Sequence, residues 1–123
     1  MARNLPNGGG IMSPEKQRIA IAEFFGWHHI KVRDGGGIIG IPGPGRKWMH
    51  LPDYLHDLNA IHEAIVKLPD DLRFEFLWKL DRITIPSLSK SSNVDIAFWR
   101  VNATAAQRAE TFVRTICKWE DAS

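Results

Sequence analysis

The chain has almost no cysteine: Cys117 is the only one. A lone thiol excludes an internal disulfide and any CxxC-type zinc or redox centre, and it suits a reducing cytoplasm. Long hydrophobic runs are missing too. The longest are a few residues, far below the ~20 that cross a bilayer, and no apolar h-region follows the N-terminus, so neither a membrane span nor a secretory signal is expected. There is also no dominant charge. A formal net charge of +2 sets up no strong field, and partners such as nucleic acid or membranes usually need a clustered basic face.

The signatures of common chemistries are also absent. His56 and His62 are not at the i, i+4 spacing of a helical zinc pair, and His28 and His29 are expected on opposite faces of a strand. His62-Glu63 is followed by Ala64, Ile65 and Val66, so the HEXXH pattern fails. Neither glycine-rich stretch is a Walker loop or a GxGxxG between strand and helix. No Ser-His-Asp or Cys-His set can be assigned from spacing, and Cys117 on an apolar-flanked helix end reads as inert. Asp53/Asp57 and Asp70/Asp71 fall at helix starts, where the helix dipole favours acids. The expectation is a non-enzymatic protein with no cofactor and no metal.

What is present is ordinary globular composition, 44% hydrophobic and 24% charged in 123 residues, enough for one domain with one core. Residues 1–11 lack periodicity and read as a flexible leader. Three glycines before Met12 are what a purine-rich ribosome-binding site would encode in frame, so translation is expected to start naturally at Met12. Residues 12–119 form the domain and 120–123 a tail. Five tryptophans are many for this length, and most are expected in the core.

Ser13-Pro14-Glu15 is a helix-start pattern, and Gly26 a stop. Ile19, Ile21, Ala22, Phe24 and Phe25 are expected inward, with Lys16, Gln17, Arg18 and Glu23 largely outward. His28, Ile30 and Val32 alternate with His29, Lys31 and Arg33, as in a strand with one apolar face. Asp34-Gly35-Gly36-Gly37 predicts a hairpin turn, Ile38-Ile39-Gly40-Ile41 the return strand, and Pro42-Gly43-Pro44-Gly45 an irregular loop. Residues 51–68 predict the helix that organises the core: Leu58, Ile61, Ile65 and Leu68 share a side, Pro52 suits its start and Asp53 could cap it. A second helix follows Pro69, with Leu72, Phe76, Leu77, Leu80 and Ile83 buried, and Pro86 ends it. Residues 87–93 read as a surface loop. In residues 94–101 both alternating faces are apolar, which predicts a central strand covered on both sides. Thr104 and Gln107 form a capping box for a last helix running to about Lys118. The expected fold is a small three-layer α/β/α sandwich of order α-β-β-α-α-β-α.

Three segments, residues 12–27, 51–64 and 103–119, together resemble the phage ABA sandwich domain family. The resemblance implies an α/β/α sandwich of phage or prophage origin, in the cytoplasm of the bacterial host, and supplies no catalytic residues. Cys117 departs from it, standing where the family usually has glycine. The function that follows is a phage accessory protein acting by binding, an inhibitor of a host antiviral defence component in the manner of an anti-CRISPR.

One constellation offers a ligand site. Arg46, Lys47 and Trp48 place two phosphate-directed cations beside a ring for stacking, which suits a nucleotide, so the alternative function is a sponge for a nucleotide immune signal. The plainer reading of the same residues is an exposed loop with a core-anchored tryptophan. The tryptophan content is also compatible with a homo-oligomer.

Overall fold

The computed structural model describes residues 12–85, 93–116 and 118–119, the side chains of 93–95 excepted. The elements are α1 (Pro14–Phe24), β1 (His28–Val32), β2 (Ile38–Ile41), β3 (Met49–His50), α2 (Leu58–Val66), α3 (Asp70–Thr84), α4 (Asn93–Val101) and α5 (Ala105–Thr115). Helices and one small antiparallel sheet, in the order β1-β2-β3, make a mixed α/β fold.

Local chemistry sets the ends of α1. The Ser13 hydroxyl accepts from the Lys16 amide at 3.2 Å, and Gly26 leaves the helix at φ +92°. Ile21 and Ala22 are fully buried. Gln17 is buried as well, against the expected outward placement, because its Nε2 donates to the Met12 carbonyl at 2.8 Å. The hairpin forms as its glycines require. Gly35 and Gly36 both take φ +95°, and the Arg33 amide donates to the Gly37 carbonyl at 2.6 Å. A two-residue strand, β3, completes the sheet and is too short to leave a periodic trace in the sequence.

Residues 51–57 depart from the expected helix. Arg18 donates to the carbonyls of Leu51 at 2.7 Å and Pro52 at 3.2 Å, occupying acceptors that a continuous helix would need. Leu51, Tyr54 and Leu55 are instead buried in an irregular turn. The cap is therefore Asp57, not Asp53: its carboxylate accepts from the amides of Asn59 at 2.9 Å and Ala60 at 3.3 Å. Starting there, α2 turns Ile61 and Ala64 inward and leaves Leu58 exposed.

The second departure is residues 94–101, which are helical in α4. A short run of apolar residues fits a buried strand or a helix equally well by period, and the helix seen here carries an ion pair to its neighbour. Ile96 and Arg100, one turn apart, are both partly buried, and Arg100 holds Asp81 of α3 with two hydrogen bonds, at 2.8 and 2.7 Å. Phe98 and Val101 are exposed. The order is thus α-β-β-β-α-α-α-α, and no strand lies where the central strand of the expected sandwich was placed.

The core centres on α5. Its capping box is complete, Thr104 Oγ1 accepting from the Gln107 amide at 3.0 Å and Gln107 Oε1 from the Thr104 amide at 2.9 Å. Ala109, Phe112 and Val113 are fully buried, and α1, α2 and α3 all pack against this helix. Phe112 meets the rings of Phe24 and Phe25, each at 5.8 Å. A smaller cluster of Ala22, Ile38 and Leu51, with Ile19, Trp27 and Ile30 beside it, joins α1 to the sheet. Gly40 permits this approach, since a Cβ there would lie 3.0 Å from Ile30 Cγ1 and 3.3 Å from Trp27 Cε3.

No tryptophan belongs to the buried core. Trp48, Trp78 and Trp99 are exposed, and Trp27 and Trp119 are half-buried. Trp119 and Trp27 instead pack against the margins of the two core clusters. Pro86, residues 87–92 of the loop expected at 87–93, and Cys117 lie outside the described residues, while Asn93 already belongs to α4.

Candidate functional site

Arg46, Lys47 and Trp48 lie between the Gly-Pro turn and β3. The turn closes by the Arg46 amide donating to the Gly43 carbonyl at 3.1 Å, with Gly45 at φ +73°. Arg46 and Lys47 are exposed, and neither side chain has a partner among the described residues. Trp48 is not core-anchored: the residue is 46% exposed. It packs against side chains of β1 instead. His29 meets its ring edge-on at 6.3 Å, and Lys31 Nζ sits 5.2 Å from the ring centroid, within cation–π range.

A bulge in β1 produces this grouping. His28 pairs with Ile41 and Lys31 with Ile39, so β1 spends one more residue than β2 over the same span. His29 absorbs the excess at φ +55°, a left-handed conformation that histidine tolerates better than most residues. The strict alternation expected of β1 is therefore broken. His28 and His29 do not point to opposite faces; their rings are 4.7 Å apart and their Nδ1 atoms share a hydrogen bond, one donating and the other accepting. Ile30 alone of the expected apolar face is partly covered, and Val32 is exposed.

The sequence reading missed Lys31 and His29 because they are remote from Trp48 along the chain. A local charge count would have found the surface. Residues 27–50 hold Lys31, Arg33, Arg46 and Lys47 against the single acid Asp34, a basic bias that the whole-chain charge of +2 conceals. The surface is open in the sense that Arg46, Lys47 and Trp48 are all exposed to solvent.

A cleft of about 220 Å³ lies between Phe25, Trp27, Tyr54, Glu63 and Lys67. That is below the roughly 300–1,000 Å³ of drug-sized ligand sites, a range that more open clefts of about 340, 380 and 480 Å³ elsewhere on the surface do reach. Burial pushes the Tyr54 hydroxyl up to about 12, Arg18 pulling it down and Glu63 adding to the rise, so at neutral pH it is a hydrogen-bond donor and no base. Among the described residues no group of three or more His, Cys, Asp or Glu is placed to hold a metal, and no helix is long and apolar enough to cross a membrane.

No family model matches the chain, and comparison with curated proteins and with solved structures finds no match.

Proposed function

We propose that the protein works by binding and not by catalysis, and that its partner docks on the sheet face around Trp48. The supporting observation is Trp48 itself, exposed yet steadied by Lys31 and His29. Indole rings are common anchors of interfaces, and the cations of residues 27–50 would steer an acidic partner to it. An open face favours a macromolecule over a small ligand, which is usually enclosed. The three segments that resemble the phage family fall on α1, on the turn into α2 with most of α2 itself, and on α5. On that resemblance the partner is a component of a host antiviral defence system, met in the cytoplasm of the bacterial host by a phage or prophage accessory protein with an α/β/α sandwich ancestry. Affinity purification from an infected host tests this. Wild type retains a stoichiometric acidic partner that Trp48→Ala loses; a wild type that retains none refutes the reading.

Lys31 over the exposed ring of Trp48, with Arg46 and Lys47 next to it in the chain, favours a second reading, a sponge for a nucleotide signal. Calorimetry with cyclic and ADP-ribose-type nucleotides discriminates the two, and a flat titration across the panel removes the sponge.

A further inference from the structure

A second surface lies on α3, whose inner side is fixed in the core by Phe76 and Leu80. Its outer side carries Asp70, Phe74, Trp78 and Arg82 in one row at i, i+4, i+8 and i+12, an acid at one end, two aromatic rings in the middle and a cation at the other. All four are exposed, Phe74 at 77% and Trp78 at 52%. Rings left in water at this level mark an interaction surface more often than chance exposure.

The charge order says what covers it. The first half of α3 carries Asp70, Asp71 and Glu75 against Arg73 alone, and Arg73 is held by the Leu68 carbonyl at 3.0 Å. The second half carries Arg82 and Lys79, the latter in a weak surface pair with Glu75 at 3.8 Å, and its one acid, Asp81, is already taken by Arg100. A parallel neighbour would set like charges together. A copy of the same helix running antiparallel sets Asp70 against Arg82 and Phe74 against Trp78, and the reverse pair repeats across the axis, the self-complementarity a two-fold interface demands. Aromatic rings then form the centre and charges the rim, the usual anatomy of an interface. Existing pairings do not oppose it: the Asp70 side chain, 96% exposed, is in a weak surface pair with Arg73 at 3.3 Å, and the Arg82 guanidinium lies 4.6 Å from the Trp78 ring centroid.

We propose that this face of α3 pairs antiparallel with α3 of a second copy of the chain, forming a homodimer about a two-fold axis between Phe74 and Trp78. Sedimentation velocity across a concentration series tests it on the full chain, with circular dichroism confirming that each variant is folded. Wild type associates to a dimer, and Trp78→Glu is monomeric. Asp70→Arg and Arg82→Asp each weaken association about tenfold or more, since one substitution acts twice in a symmetric dimer. The double variant Asp70→Arg/Arg82→Asp restores association, which damage to the fold cannot do. A wild type that stays monomeric at the highest concentration it tolerates overturns the proposal. A dimer indifferent to the single reversals, or single reversals that the double variant fails to rescue, also overturns it.

Discussion

Arg100 grips Asp81 with two nitrogens on two oxygens, Nε to Oδ1 at 2.8 Å and Nη2 to Oδ2 at 2.7 Å. Asp81 is buried, and the pair ties α4 to α3. The hydrogen bonds that Arg100 donates to Asp81 raise the Arg100 pKa above its ordinary value, so the cation is permanent. Arg100→Leu strands the carboxylate without its fork and is expected to cost about 1–3 kcal/mol, the lower range applying because the guanidinium is partly wet. Arg100→Lys should recover only part of the loss, as an ammonium cannot make the planar two-pronged contact. Urea denaturation followed by circular dichroism measures both.

Tyr54 gives a pH signature of its own. Its folded-state pKa, about 12 against an ordinary 10.0, is raised chiefly by burial. Above pH 10 the unfolded chain loses this proton first, so the stability conferred by the neutral phenol is whole below that pH and drains away as pH rises through 12. Tyr54→Phe should flatten the alkaline slope. Tyr54 is the only tyrosine, so the ultraviolet absorbance of tyrosinate reads its ionisation directly, and a midpoint near 10 in the folded protein would contradict the burial described.

The left-handed backbone at His29 is a local cost. His29→Gly should raise stability by about 1 kcal/mol, less the contact it gives up with Trp48. The same change removes one of the two side chains steadying that ring, so partner retention in the affinity experiment should fall while the denaturation midpoint rises. Opposite signs would mark His29 as a residue kept for binding; loss of both would mark it as structural.

Features closed within a few residues were legible before any coordinates. Ser13 capping α1, the glycines after Asp34, and the Thr104–Gln107 box all satisfy backbone groups three or four positions away, and each appears as expected. The failures share a different physics. Where the helix expected at 51–68 lacks its first seven residues, Arg18 bonds Pro52, 34 residues distant, and where a helix replaces the strand expected at 94–101, Arg100 bonds Asp81 across 19 residues. Arg46 and Lys47 were recognisable as an exposed loop, but the exposure of Trp48 was not. Nor were Lys31 and His29, since nothing in an alternating strand pattern announces an extra residue.

The bulge in β1 also limits how a partner can approach. The sheet has two open sides: β3 is only two residues long, and β1 is kinked at His29 and carries Lys31 within it. Neither presents the straight run of vacant amides and carbonyls that another chain needs to add a strand, which protects the protein from edge-to-edge aggregation. It equally removes strand addition from the modes of recognition open to it. The partner proposed for this face would have to read side chains, so its affinity should be sensitive to single substitutions in a way that a backbone-zippered complex would not be.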